Sequence, residues 1–373
     1  EDAEYYLRRL GSLVDDAEQA ERTVIAAVVL ESLGRTDDRD MALELLSLAG
    51  RLTGVLMGSR EKAEEFLRSA LRQLQRHFDS IRARVEWALG ACHEEDPELL
   101  MELLWEELDR TDSALTRAFL LNLAIGLSGG KSRFRELARR VLGVMVESDL
   151  PEGQMARLRH GLARLGESAA DLALSRLRES ERGERSELVR ILNTICSRGE
   201  VDATTVNNIG QAFVDHLQVA DRTTRRTILD AEACADPRVQ ESLQRRLAAE
   251  YLSHLDEFQL PDTQGSIRDT LEKIGIPAVQ PMFDYIRRHY PGREAPDVCT
   301  SLGRIIRQQP GDVPSRLAED MVEHCRGLLE NQELEEGEFT MVLPYSTTGY
   351  ENFGPENGYT NVSVRANSSY VIT

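Results

Sequence analysis

Apolar residues recur at three- and four-residue spacing along most of this chain, and proline, glycine or capping residues interrupt the pattern at short intervals. This spacing places apolar side chains on one face of a helix, so it predicts a succession of amphipathic α-helices. The interruptions fit helix boundaries, because proline favours the first turn and glycine the position after the last. The predicted helices span 1–15, 16–34, 37–57, 59–77, 79–92, 95–109, 111–127, 131–147, 151–166, 168–179, 182–198, 201–218, 221–234, 236–255, 261–275, 277–290, 293–309 and 313–332.

One segment of the chain occurs twice, as LARLGESAADL at 162–172 and LEKIGIPAVQP at 271–281. In both copies a helix ends at a glycine, Gly166 or Gly275, and a short segment that contains small residues begins the next helix. The two glycines are 109 residues apart, which is about three times the 33–47-residue period of helical-pair repeats. Because each pair in such a repeat buries its apolar face on its neighbours, the spacing predicts an α-solenoid. The small residues that end successive repeats are Gly90, Gly126, Gly166, Cys196, Cys234 and Gly275.

These motifs resemble HEAT-type repeats, and in particular the repeats of phycobilisome lyases. In that subclass the second helix often starts Asp-Pro-x-Val-Arg and ends Leu-Gly, and the next helix starts Pro-Ala-Val. Residues 236–239 (Asp-Pro-Arg-Val) and 271–281 match parts of this pattern. The resemblance implies an all-α, right-handed solenoid of about nine antiparallel helix pairs over residues 1–333. Residues 1–78 match in length and periodicity, and we regard them as degenerate N-terminal repeats.

The composition changes after residue 333. Residues 334–373 are rich in Ser, Thr, Asn, Gly and Tyr, and alternating apolar residues at 339–343 and 362–366 predict short strands. A two-stranded segment is marginal in isolation, so we expect this extended tail to dock on its own solenoid or on a neighbouring subunit, which would permit self-association. A linker to a further domain is the alternative. The candidate docking residues are Tyr345, Tyr350, Tyr359 and Tyr370.

The net charge of −19 disfavours unspecific binding to nucleic acid or anionic lipid, because both need a basic surface. Three lysines accompany 42 arginines, a bias that we interpret as high-GC, bacterial coding. Five widely spaced cysteines indicate a reduced, cytoplasmic protein. No apolar run approaches the ~20 residues of a membrane span. We find no catalytic, metal-ligand or cofactor-binding constellation, so we expect no enzyme and no cofactor.

A series of arginines is the candidate site with the most specific sequence pattern. Its members lie seven to nine residues before the small residue that ends each second helix, so they should align as a ladder on the concave face. The ladder consists of Arg82, Arg117, Arg157, Arg225, Arg226 and Arg268. It could bind an acidic ligand, but bracing between neighbouring repeats is the favoured interpretation. In HEAT-like repeats an Asp near the helix start pairs with such an arginine. The pairs that could form here are Asp79–Arg82, Asp112–Arg117, Asp221–Arg225 and Asp262–Arg268.

The leading hypothesis is a non-enzymatic scaffold or adaptor that binds a peptide or protein segment on the concave face. One alternative, from the resemblance, is a bilin lyase or isomerase that cradles a tetrapyrrole. The other is a HEAT-like nucleic-acid-binding repair protein, which the acidic charge disfavours. Trp87 and Trp105 have apolar spacing on consecutive helices and are predicted to pack in the core.

Overall fold

The structure, a computed structural model, describes residues 2–128, 133–147, 149–180, 182–255, 261–289, 295–309, 312–330, 338–344, 359–365 and 371–372. The chain divides into two compact units, Glu1–Leu165 and Gly166–Thr373. Most described residues of both units are helical, as the apolar spacing predicts.

The first unit consists of helices whose starts are fixed by side-chain caps. Asp38, Ser59, Asp96 and Ser113 each accept a hydrogen bond from the backbone N–H three residues further on, which satisfies a donor that the helix itself leaves unpaired. The helices are α1 Asp2–Asp16, α2 Gln19–Arg35, α3 Arg39–Arg51, α4 Thr53–Leu56, α5 Arg60–Glu95, α6 Pro97–Arg110, α7 Ala114–Leu127, α8 Phe134–Glu147 and α9 Glu152–Arg164.

The sequence prediction divided helix α5 into 59–77 and 79–92, and a kink lies at that boundary. The helix continues through this region and is kinked at His77, where φ is −133° and ψ is 35°. No proline or glycine lies between Arg60 and Trp87, so nothing in the covalent backbone ends the helix there. Two predicted helices are therefore joined without a loop.

The second unit contains helices of similar length. They are α10 Glu167–Glu179, α11 Arg182–Arg198, α12 Ala203–Val219, α13 Arg222–Leu229, a 3-10 turn Glu232–Ala235, α14 Glu241–Ser253, α15 Pro261–Ile274, α16 Ile276–His289, α17 Ala295–Gln308 and α18 Ser315–Glu330. Helix α14 begins five residues later than predicted. The Asp236 carboxylate accepts hydrogen bonds from the Arg238 backbone N–H (2.8 Å) and from its guanidinium Nε (2.9 Å), which holds the preceding residues in a turn.

Helices in both units contact their second neighbours along the chain. In the first unit α1, α3, α5, α7 and α9 touch in succession. In the second unit α10, α12, α14, α16 and α18 form one such series, and α11, α13, α15 and α17 form another. The Ser186 and Thr224 hydroxyls are 3.2 Å apart across α11 and α13, a separation of 38 residues that matches the predicted repeat period.

The two glycines of the duplicated segment share an unusual backbone conformation. The φ angle is 57° at Gly166 and 74° at Gly275, in the region that favours glycine over residues with a Cβ. Each glycine ends one helix and begins the next, with the Gly166 carbonyl accepting from Ala169 N and Ala170 N at 3.1 Å. The sequence repeat therefore corresponds to a structural repeat.

Three strands follow the helices of the second unit. They are β1 Glu338–Pro344, β2 Tyr359–Arg365 and β3 Val371–Ile372, paired antiparallel in the order β1-β2-β3. Glu338 is opposite Arg365 in the register, and β1 lies against α17. Tyr359 opens β2, whereas Tyr345, Tyr350 and Tyr370 lie outside the described residues.

The interior is mainly aliphatic, with a few large rings such as Phe119 and Tyr251. The thiols of Cys92, Cys196 and Cys299 are buried. Burial, with the nearby Glu95 charge, raises the pKa of the Cys92 thiol to about 12, so this thiol stays protonated and unreactive at neutral pH.

Candidate functional site

The arginine ladder lies on helices that contact one another within each unit. Arg82, Arg117 and Arg157 belong to α5, α7 and α9, while Arg225 and Arg226 belong to α13 and Arg268 to α15. Each unit therefore carries ladder members on helices that contact one another.

The half-buried ladder arginines bond within their own repeat. Arg82 donates to Glu86 one helical turn away, through Nε at 2.8 Å. Arg117 Nε donates to the Thr111 carbonyl at 2.8 Å. Arg225 donates from Nε to the Leu217 carbonyl and from Nη2 to the Ala220 carbonyl, both at 3.0 Å. The Arg117 and Arg225 guanidinium groups tie the end of one helix to the start of the next, whereas Arg82 bonds within α5.

The same device occurs at two helices outside the ladder. Arg22 Nε donates to the Ala17 carbonyl and Arg185 Nε donates to the Ser180 carbonyl, both at 3.1 Å. Arg22, Arg117 and Arg225 each lie four residues after the N-cap of their helix. From this position the side chain reaches back to carbonyls that the preceding helix leaves unpaired. We call these residues the loop-locking arginines.

The Asp–Arg contacts in the structure differ from the predicted pairs. Asp221 caps α13 by accepting from Thr223 N and Thr224 N at 3.0 Å, while Arg225 turns to backbone carbonyls. Asp112 is only within 4.0 Å of Arg117, and Asp262 lies where no side chain is described. A close Asp–Arg pair occurs instead at Asp236 and Arg238, 2.7 Å apart.

Arg238 braces the second unit over a longer distance in sequence. Its Nη1 donates to the Val201 carbonyl at 2.7 Å and its Nη2 to the Cys196 carbonyl at 3.1 Å. The partner carboxylate at Asp236 has its pKa lowered, first by the hydrogen bond from the Arg238 side chain. The Asp-Pro-Arg-Val motif therefore fastens the end of α11 to the turn before α14.

Two neighbouring arginines of α13 provide a direct test of bracing. We expect Arg225→Ala to lower the free energy of unfolding by about 1–2 kcal/mol, because two part-buried carbonyls lose a charged donor. Arg226 is exposed, and its Nε is 3.8 Å from Asp230, so Arg226→Ala should change stability by less than about 0.5 kcal/mol. Urea unfolding of both variants measures the difference. Equal losses would contradict the loop-locking role.

The caps of the second unit also make its stability dependent on pH. Hydrogen bonds from the Thr205 and Thr224 backbones are the main causes that lower the pKa of Asp202 and Asp221 below the ordinary 3.8. A carboxylate with a lowered folded pKa contributes stability above its unfolded pKa, and that contribution is lost as the pH falls through the folded value.

We therefore expect the second unit to lose stability progressively as the pH falls below the ordinary aspartate value of 3.8. Asp221→Asn should retain the cap and flatten this acid dependence, whereas Asp221→Ala should lose about 1 kcal/mol at neutral pH. Urea midpoints measured across this pH range for the three proteins check the prediction. An unchanged acid slope in Asp221→Asn would show that the Asp221 cap does not contribute to it.

Sequence reasoning missed a brace at the end of α2. Gln73 is fully buried, and its Nε2 donates at 2.8 Å to the Leu33 and Thr36 carbonyls. Arg72 donates to the Gly34 carbonyl at 2.7 Å. A signal was present, because Gln73 interrupts the apolar stripe that continues at Leu74.

The prediction for Trp87 is wrong. Its side chain is 46% exposed, and Arg84 lies over its ring at 5.5 Å. The ring occupies the space beside Gly50, where an added Cβ would come within 2.2 Å of it. Gly50 precedes Trp87 by about one repeat period, which is the signal that the sequence contained. Trp105 is half-buried, with the Arg140 guanidinium 4.7 Å from its ring centroid.

Comparisons with known proteins give only partial matches. No family model matches the chain. Over 38 residues, 10% of the chain, it is 71% identical to the dolichyl-monophosphooligosaccharide–protein glycotransferase AglB of Haloferax volcanii, and the match spans 4% of that protein's length. Among known structures it is similar to a homology model of the full-length AP-3 complex in an intermediate open conformation. That likeness has 11% identity and a TM-score of 0.39, and covers 85% of this chain and 62% of that one.

In the described part of the chain, no helix is long and apolar enough to cross a membrane. Within the same ranges, no three His, Cys, Asp or Glu side chains are grouped so that they could hold a metal ion.

Proposed function

We propose that the chain is a HEAT-like, right-handed α-solenoid that acts as a cytoplasmic, non-enzymatic scaffold for a peptide or protein segment. The observation that carries the proposal is the succession of second-neighbour helix contacts in each unit. Such stacks place equivalent positions of successive repeats side by side, which creates extended surfaces for chain-like partners.

The loop-locking arginines support this function because they stiffen each repeat. A rigid surface loses less conformational entropy when it binds a partner. Five of the six ladder members divide into two groups. Arg82, Arg117 and Arg225 hold the fold, while the exposed Arg157 and Arg226 are the members proposed to contact acidic groups of a partner.

A cleft in the second unit supports binding of a segment rather than of a flat surface. Its volume is about 800 Å³, and it lies at the N-terminal ends of α14, α16 and α18. Ile276 and Leu317 give the lining apolar area, and Gln280 and Arg316 add polar groups. This size and mixture are typical of sites that bind a few side chains of a ligand.

The test begins with affinity capture of the full chain from its native organism and mass spectrometry of what remains bound. The partner is then purified and titrated by calorimetry. Arg157→Ala and Arg226→Ala should weaken binding and reduce its salt dependence without changing the melting temperature. Arg225→Ala should bind normally when it is measured at a lower temperature, at which this destabilised variant is folded. Turnover that a single polar substitution abolishes would overturn the proposal. A retained bilin colour or duplex-DNA binding would favour the corresponding alternative.

We also propose that residues 334–373 dock on helices rather than lead to another domain. The support is the position of β1 against α17 and α18. Deletion of 339–373 should therefore lower the melting temperature, because α17 loses its cover. Thermal melting and the molecular mass in solution, each compared with the full chain, check this result. Unchanged melting together with an unchanged mass would leave the tail as a linker.

A further inference from the structure

Helix α9 of the first unit exposes a narrow cationic strip. After its first residue, the exposed positions of this helix are Gly153, Arg157, His160 and Arg164. At 100° per residue, these four positions lie within about 60° of one another around the helix. The two arginines are seven residues apart, which separates them by about 10 Å along the helix axis. We call Arg157, His160 and Arg164 the α9 strip.

The two arginines of the α9 strip are not neutralised within the described part of the chain. Arg157 and Arg164 form no ion pair with a described residue. The carboxylate of Glu152 is 2.8 Å from Arg159, which lies on another side of the same helix. Both strip guanidinium groups are therefore exposed charges that remain available to a ligand.

The helices that carry and contact the strip are poor in acidic residues. Helix α7, which contacts α9, has none among its 14 residues, and Glu152 is the only one among the 13 of α9. The whole chain has 64 acidic residues among 373. Asp149 precedes α9 and Glu167 follows it, and they limit the cationic face to the length of this helix. In a chain of net charge −19, such a face attracts anionic groups locally.

We propose that the α9 strip binds an acidic segment of a partner protein through two carboxylates about 10 Å apart. The proposal rests on the scaffold function above and names the kind of segment that the scaffold holds. Arginine suits this contact, because its guanidinium binds a carboxylate through two parallel hydrogen bonds and keeps its charge at neutral pH. Two carboxylates have this separation when they are about seven residues apart on a helix or about three apart in an extended segment.

A short acidic protein segment fits the strip better than a nucleic acid does. A duplex carries one negative charge per ~1.7 Å of its axis, and tight binding requires that many phosphates are neutralised. The strip supplies two permanent positive charges, and the net charge of −19 repels the phosphates beyond them. A short segment can place its carboxylates only where the two arginines are.

A random-peptide display library, selected on the immobilised full chain at about 0.15 M salt, tests the proposal. The enriched peptides should contain two or more Asp or Glu residues at the spacings given above. Fluorescence anisotropy of labelled synthetic copies then measures their affinity. The double variant Arg157→Glu, Arg164→Glu should weaken binding at least about tenfold, because two attractive contacts become repulsive.

The matched control is the double variant Arg133→Glu, Arg135→Glu. Arg135 lies on α8 and Arg133 immediately before it, and both are exposed in the same unit. The control changes the net charge by the same amount as the strip variant. Charges more than about 8 Å from the ligand are largely screened at this salt concentration, so the control should weaken binding by less than about threefold. Thermal melting of both variants confirms that they are folded.

Three results would overturn the proposal. The first is a selection that enriches no peptides or peptides without an acidic bias. The second is a set of acidic peptides that both double variants bind equally well. The third is binding of duplex DNA that the strip variant abolishes, which would assign the strip to nucleic acid.

Failure of this proposal is distinguishable from failure of the scaffold function. Peptides that the strip variant binds normally, but that lose affinity with Arg316→Glu in the cleft of the second unit, would preserve the scaffold function and exclude the α9 strip. A selection that enriches no peptide at all would count against both.

Discussion

Gly166→Ala should destabilise the second unit by about 2–3 kcal/mol, since the backbone there has φ 57° and ψ −130°, a region that residues with a Cβ rarely adopt. The added Cβ would also lie 3.0 Å from the Glu200 carbonyl oxygen. Backbone oxygen cannot move aside as a flexible side chain can. Hydrogen exchange of the Ala169 and Ala170 amides, which bond to the Gly166 carbonyl, reports the local loss.

Two other glycines make this prediction specific. Gly275→Ala shares the positive φ, but its nearest neighbour is the mobile end of Gln309 at 3.5 Å, so we expect a smaller loss of about 1–2 kcal/mol. Gly183 lies in α11 with no atom within 4 Å of an added Cβ. Gly183→Ala should be neutral or stabilise by up to about 1 kcal/mol. A stability loss that is largest for Gly166→Ala, smaller for Gly275→Ala and absent for Gly183→Ala would support strain at Gly166. An equal loss for Gly183→Ala and Gly166→Ala would exclude it.

Gln73→Leu should lower the free energy of unfolding of the first unit by about 1–3 kcal/mol, because it leaves the Leu33 carbonyl without its amide donor, while the Thr36 carbonyl keeps the hydrogen bond from Arg76. Gln73→Glu should lower the free energy of unfolding further at neutral pH, because a carboxylate would face those carbonyl oxygens. Burial would raise the pKa of that carboxyl, so part of the loss should be recovered as the pH falls and the group protonates.

Urea unfolding at pH 7 and near pH 5 measures both effects. Gln75→Leu is the control, since Gln75 is exposed and its Nε2 donates to Thr116 at a longer 3.3 Å; it should cost less than about 1 kcal/mol. If Gln73→Leu were as mild as Gln75→Leu, the brace at the end of α2 would be incidental to stability.

The helices could be predicted because apolar spacing and caps act over a few residues. Asp96-Pro97 begins α6 where expected, and the duplicated glycines have the same backbone conformation. The sequence placed a boundary in α5 at the kink, but nothing local distinguishes a kink at His77 from a loop. Hydrogen bonding between α13 and the end of α12 decides the role of Arg225, and no spacing rule contains that information.

The candidate site was less predictable than the fold for the same reason. Sequence periodicity placed the ladder on successive helices, but it could not say whether a guanidinium points to a carbonyl or to solvent. Arg225 and Arg226 are adjacent and point about 100° apart on α13, and only contacts with other helices assign them. Trp87 required knowledge that α5 packs beside Gly50.

The continuous helix α5 restricts how this protein can gain or lose repeats in evolution. Repeat proteins change length by duplication or deletion of whole units, and the junctions are tolerated where a loop absorbs small errors in phase. At His77 there is no loop, so an inserted residue would rotate everything after it by about 100°. The block from α3 to α6 should therefore be inherited as one piece, and lineages of this chain should vary in length at other repeats.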